Sequence, residues 1–287
     1  MTFVHKFFDN KYMILNERSE SMKTLIKKIQ QTYKYSDKRA VFVYIFLRIL
    51  VILCMIREFF MGNMQNVLLC ILSLFLFLLP VFIEKKFKID LPGTLEVIIL
   101  LFIFSAEILG EINNFYGAIP FWDTILHTLN GFLCASVGFS LVYLLNEKTH
   151  LFHLSAKFVV LVSFCFSMTI GAVWEVFEYS MDKILNWDMQ KDEYVEKIKT
   201  VTLDPKQDNN VVIIDNISHT ILYDEDKNEL VKLDGYLDVG INDTMKDLIV
   251  NLIGAIVFSL FGYLYIKNKE KYKFVDGLLT KKQKIES

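Results

Sequence analysis

The sequence predicts an all-α integral membrane protein with six transmembrane helices and a small extracytoplasmic insertion that contains a β-hairpin. Three observations carry this prediction. Apolar residues fill 53% of the 287 positions and mean hydropathy is +0.36, more than an ordinary soluble domain tolerates. They are gathered into runs close to the length that crosses a bilayer. The segments between the runs alternate in charge as the positive-inside rule requires.

Residues 1–40 hold nine Lys or Arg against four acids. Within them Met22, Leu25, Ile26, Ile29 and Tyr33 follow helical spacing with Lys23, Lys27 and Lys28 between, the pattern of a basic amphipathic helix at an anionic membrane surface. A plain cytosolic lead-in helix fits the same spacing. The first span covers about 41–60, with Arg48 inside it as an internal counter-ion or a snorkelling residue. The second covers about 67–83 and has Pro80 in its last turn, where a kink or helix end is tolerated. The third covers about 93–112, the fourth 122–145, the fifth 157–181 and the sixth 243–266.

The N-terminus, the 85–88 and 146–157 loops and the 267–287 tail are basic, whereas the 61–66 and 113–121 loops contain no Lys or Arg. Residues 182–242 carry fourteen Asp or Glu against seven Lys. Both termini are therefore expected in the cytoplasm of a multi-pass protein of the cytoplasmic membrane. The division is a basic segment (1–40), spans one to five (41–181), an acidic extracytoplasmic insertion (182–242), span six (243–266) and a basic tail (267–287). In the insertion, 211–214, 219–223 and 229–233 have strand character, and Asp224-Glu225-Asp226-Lys227-Asn228 reads as the turn of a hairpin. The sequon Asn216-Ile217-Ser218 is too common by chance to carry weight. Cys54, Cys70, Cys134 and Cys165 stand singly in apolar runs, the pattern of small buried residues rather than of a disulfide framework or thiolate metal site.

The chemistry lies in polar residues inside the runs. Phe121-Trp122-Asp123-Thr124-Ile125-Leu126-His127-Thr128-Leu129-Asn130-Gly131 puts an acid, an imidazole and an amide in an apolar stretch. Asp123 and His127, four apart, share one helix face. Glu107 and Glu111 close span three, Glu175 and Glu178 lie near the end of span five, and Asp243, Asp247 and Asn251 open span six. Each group is spaced three or four, so each helix shows one polar stripe. The topology puts all four stripes in the outer half of the membrane. Glu107, Glu111 and Asp182 also fit snorkelling to water, and Asp123 and Asp243 also fit helix caps.

Like charges in low dielectric oppose one another's ionisation, so such a cluster must be protonated or neutralised by a cation. Carboxylates with one imidazole suit Zn²⁺, Mn²⁺, Fe²⁺ or Mg²⁺. Asp123, His127, Glu175 and Asp247 are the candidate ligands and Glu178 a candidate catalytic general base; Glu107, Glu111, Asp243 and Asn251 complete the polar cluster. The pattern Asp123-x3-His127-x3-Gly131, Glu175-x2-Glu178-Tyr179 and Asp243-x3-Asp247 running into Asn251-x2-Gly254-Ala255 resembles the YjdF-like family of predicted bacterial inner-membrane proteins. The resemblance covers 95–182 and 240–266, with an N-terminal extension and the 183–240 insertion as departures. It implies the membrane fold and the polar positions, but no reaction, since that family has no established activity. A metal-dependent hydrolase acting on a lipid or cell-envelope substrate, a proton- or ion-coupled transporter, and a non-catalytic sensor or scaffold are the three classes the residues admit. Membrane lipids are expected partners and nucleic acid is not; oligomeric state is not legible.

Overall fold

The computed structural model describes residues 38–148 and 154–282. The expected amphipathic helix at 22–33 and the loop histidines His150 and His153 lie outside the described residues. The chain divides into two compact units, residues 1–115 with 280–287, and residues 116–279.

The first unit opens with α1 (Lys38–Met61), a run of Ile, Leu, Val and Phe long enough to cross a bilayer. Gly62, at φ +81°, turns the chain into α2 (Met64–Leu76). The turn is tied by Glu58, whose buried carboxylate accepts bonds from Arg57 Nε at 2.7 Å and from Nδ2 of Asn63 and Asn66 at 2.8 Å each. The Arg48 guanidinium pairs within its own helix, donating to the Tyr44 hydroxyl at 2.6 Å. After α2 the path is interrupted for one turn and resumes as α3 (Leu79–Phe87). Pro80 is the second residue of α3, where no intrahelical N–H is required, so the ring starts a new helix instead of kinking an old one.

Beyond β1 (Ile89–Asp90), α4 (Gly93–Ile103) passes directly into a π-helix (Phe104–Ile112). Residues 93–112, expected as the third span, form a continuous helical path with two windings. Among the described residues, five helical stretches meet the length and hydropathy of a spanning segment, α2 and α3 counting together: Lys38–Met61, Met64–Phe87, Trp122–Asn146, Ala156–Leu185 and Ile241–Lys267. The short strand β8 (Lys281–Lys282) pairs antiparallel with β1, Ile89 opposite Lys282. A single helical turn, α5 (Phe115–Ala118), lies at the division between the units.

The second unit is built on α6 (Trp122–Lys148), α7 (Ala156–Leu185) and α8 (Ile241–Lys267). The hydroxyl of Ser155 caps α7 through the Phe158 N–H. Small residues let these helices approach closely, which is how helices associate where apolar burial gives little drive. A Cβ on Gly131 would collide with the Asn251 carbonyl, and one on Gly254 with the Thr128 carbonyl. Ser163 and Ser167 on α7 donate to the carbonyls of Ala135 and Gly131 at 2.6 and 2.7 Å. Further along, Phe132, Phe139 and Phe258 fill the interface edge to face, with centroids 5.1 and 5.9 Å apart.

After α8 the chain folds back. A 3₁₀ turn (Lys273–Gly277) inserts Val275, and then Leu279, into the core beside Ala135, Phe139, Ala255 and Phe258. Ser136 Oγ donates to the Leu278 carbonyl at 2.5 Å. The lysine-rich tail expected over 267–287 is therefore in part a packed segment.

The acidic insertion forms three two-stranded antiparallel ladders among the described residues. The hairpin pairs β5 (Thr220–Tyr223) with β6 (Glu229–Leu233), and Asp224 closes its turn by accepting the Asn228 N–H at 2.7 Å. The strand β4 (Val212–Ile214) pairs with β3 (Ile198–Thr200), not with that hairpin. At the base, β2 (Tyr194–Val195) pairs with β7 (Tyr236–Leu237), drawing together the two strands that lead to and from the helices.

Candidate metal centre

The polar stripes of α6, α7 and α8 converge at the end of the unit where α6 and α8 begin and α7 finishes. Asp123 and His127 come from the first two turns of α6, Glu175 and Glu178 from the last three turns of α7, and Asp247 from the second turn of α8. His127 Nε2 lies 3.4 Å from Asp123 Oδ1 and 3.7 Å from Asp247 Oδ2. One ligand atom from each of these three side chains falls within 4.8 Å of the others, close enough to share one ion. On the opposite edge of the ring, Nδ1 lies 3.7 Å from Glu175 Oε1.

Burial is graded across the group. The Asp247 side chain is 4% exposed and that of His127 12%, whereas Asp123 is 35% exposed and forms the open side. The second oxygen of Glu175 is buried with no hydrogen-bond partner. An ionisable oxygen so placed needs a compensating charge or proton. Glu178, one turn further along α7, is buried and accepts the indole N–H of Trp174 at 2.7 Å.

A second polar layer lies one turn deeper. Asn251 is almost fully buried, and its Oδ1 accepts from Asn130 Nδ2 at 3.1 Å. Its own amide faces the Met168 sulfur at 3.6 Å, in space kept open by Gly171. Asn130 Oδ1 in turn accepts from the Cys134 thiol at 3.4 Å. Asn130 is absent from the expected site set; its signal was the spacing of three from His127.

Outside the group, Asp243 and Asp182 do other work. Asp243 accepts the backbone N–H of Lys191 at 2.8 Å, and Asp182 accepts those of Met189 and Gln190 at 2.6 and 2.9 Å. These carboxylates anchor the insertion to the helix ends, where a cap for α8 and a solvated acid were the plainer expectations. Asp238 helps by accepting the N–H groups of Glu193, Gly240 and Asn242 at 2.8, 3.2 and 2.9 Å. Lys246 pairs with Glu193 across the same junction. Glu107 and Glu111 belong to the first unit, on its π-helix; Glu107 is buried there with Oε2 unbonded.

Comparison with known proteins gives two matches. The sequence model of a family described as "Predicted membrane protein (DUF2238)" matches residues 40–268. An uncharacterised protein of Thermotoga maritima is 28% identical over 113 residues, 39% of this chain. The matched stretch spans 57% of that relative's length. No solved structure matches.

Proposed function

The chain belongs to the DUF2238 family of predicted membrane proteins, and we propose that it is a six-span protein of the cytoplasmic membrane holding a divalent metal ion at Asp123, His127 and Asp247. The span added to the five long apolar helices is the third, the α4–π path, twenty residues suited to a hydrocarbon core of about 30 Å. The alternation of basic and acidic segments supports cytoplasmic termini and an insertion on the outer side, which opens the site outward.

The observation that carries the metal reading is the convergence of three ligand atoms within 4.8 Å from positions as far apart as 123 and 247. His127 Nε2 would face the ion, and Glu175 Oε1, 3.7 Å from Nδ1, stands on the side from which a carboxylate orients a metal-bound imidazole. Glu175 therefore positions the ring instead of binding the ion. Imidazole in the donor set favours Zn²⁺, Mn²⁺ or Fe²⁺ over Mg²⁺. Three protein ligands would leave coordination positions free on a bound ion, as in catalytic rather than structural sites. Hydrolysis of a lipid or cell-envelope substrate is the reaction class this supports, with Glu178 as general base. The carrier reading is weaker, because the Phe132–Phe258–Phe139 stack fills the helix interface beyond the asparagine layer.

The test is metal content. Wild type and His127→Ala, purified in detergent without chelator and equilibrated with Zn²⁺ or Mn²⁺, are compared by elemental mass spectrometry. The expected result is about one ion per chain, lost in the variant. Wild type without metal, or equal content in both, overturns the reading.

A further inference from the structure

Away from the metal centre, α7 and α8 flank a shallow open groove of about 440 Å³. Its walls are Val160, Leu161 and Phe164 from α7 and Ile256 and Leu260 from α8, a lining suited to a hydrocarbon chain. Three polar groups interrupt it: Lys157, Ser259 and Tyr263.

Ser259 is the informative one. A helical Ser or Thr ordinarily satisfies its hydroxyl on the carbonyl four residues back. Ser73, Thr128, Ser140, Thr169 and Ser180 all do so here. Ser259 is only 6% exposed and its Oγ has no hydrogen-bond partner, although it lines the groove. A buried hydroxyl left without an acceptor at the wall of a groove is a candidate donor to a ligand.

The charge at one end of the groove identifies the class of ligand. Lys157 stands at the start of α7, and Lys267, four residues beyond Tyr263 on α8, lies over the Tyr263 ring at 5.7 Å from its centroid. One lysine thus lies over the phenol and a second lines the same groove from the start of α7. The order along α8 is Ser259, Tyr263, Lys267, each one turn apart, about 6 Å per step. A phospholipid offers the same order in reverse: an anionic phosphate, then ester carbonyls, then acyl chain.

We propose that this groove binds one anionic phospholipid, its phosphate at Lys157, Tyr263 and Lys267, an ester carbonyl accepting the Ser259 hydroxyl, and one acyl chain along the Val160–Phe164 and Ile256–Leu260 walls. In the orientation given above this is a lipid of the cytoplasmic leaflet, whose anionic headgroups attract basic clusters at helix ends. The site is independent of the metal centre.

The full chain in mild detergent is exchanged with phosphatidylglycerol or phosphatidylcholine of identical acyl chains, and bound lipid per chain is read by native mass spectrometry. Phosphatidylglycerol is expected to be retained at one per chain, at least about tenfold more tightly than phosphatidylcholine, given two lysines near one phosphate. Lys157→Gln with Lys267→Gln, both at exposed positions, brings the two lipids to equal retention. Leu260→Trp fills the groove and removes phosphatidylglycerol while keeping both charges. Equal retention of the two lipids by wild type, or phosphatidylglycerol held as tightly by the double variant as by wild type, overturns the proposal.

Discussion

The space that a Cβ on Gly131 would need is taken by the backbone carbonyl of Asn251, so α6 and α8 touch main chain to main chain at that point. One turn along each helix stand His127 and Asp247, whose mutual placement depends on this approach. Gly254 makes the reciprocal contact with the Thr128 carbonyl. A backbone atom cannot swing aside as a side chain can. Gly131→Ala and Gly254→Ala are each expected to cost about 1–3 kcal/mol by overpacking. Gly277→Ala meets nothing within 4 Å and is the neutral control. Thermal unfolding in detergent checks all three.

Glu175 and His127 make a sharper test of the metal centre than removal of a ligand. With Glu175 Oε1 3.7 Å from Nδ1 and Nε2 facing the proposed ion site, Glu175→Gln is expected to weaken metal affinity by about 10–100-fold without abolishing binding. His127→Ala abolishes it. Affinity for wild type falls as pH is lowered, because imidazole and carboxylates must be unprotonated to bind. Competition with a chromophoric chelator measures each constant. Loss in Glu175→Gln as complete as in His127→Ala would make Glu175 a ligand.

The insertion can be shortened without touching the site. Val195 and Tyr236 are paired partners at its base, close enough for a two-residue turn to join them. Replacing 196–235 by Asn-Gly keeps the Asp182, Asp238 and Asp243 anchors and is expected to leave metal content unchanged. Removing 190–235 also removes Lys191 and Glu193, which bond Asp243 and Asp238, and is expected to lower it. Elemental analysis of the two deletions distinguishes a supporting base from a dispensable periphery.

Acid reports on the loop around Asp204. Its carboxylate accepts the N–H groups of Asn210, Lys206 and Asp208 at 2.9, 3.1 and 3.0 Å, which hold its pKa below the ordinary aspartate value. A depressed folded-state pKa adds stability that is full above the unfolded value, about 3.9, and is lost as pH falls through the folded one. Protection of the 206–210 amides from hydrogen exchange should persist at about pH 5 and decline only below about pH 4. In Asp204→Ala the same amides should exchange about tenfold faster near pH 6, with the helices unaffected.

The helices were legible because bilayer-length apolar runs have few alternatives, and one polar face on each of α6 and α8 was legible because spacings of three and four place Asp123 with His127 and Asp247 with Asn251; a meeting of these faces was legible only from their shared side and depth. The edge of the imidazole met by Glu175 depends on the rotation of α7, which one polar stripe does not specify. Glu107 and Glu111 share the spacing of the other stripes yet belong to the first unit, because spacing gives a face and not a neighbour. The π winding after Ile103 has no marker in a run of Phe, Ile and Leu. Pairing of 212–214 with 198–200 was hidden because Ile198-Lys199-Thr200 is too short and mixed to read as a strand. Val275 and Leu279 were masked by the lysines around them.

That last segment also imposes an order on biosynthesis. Val275 and Leu279 complete the core between Ala135, Phe139 and Phe258, yet the ribosome adds them after α6, α7 and α8 have all been made. Until they are added, the interface of the three helices has one end unfilled, and closure of the second unit's core waits on the dozen residues beyond Lys267.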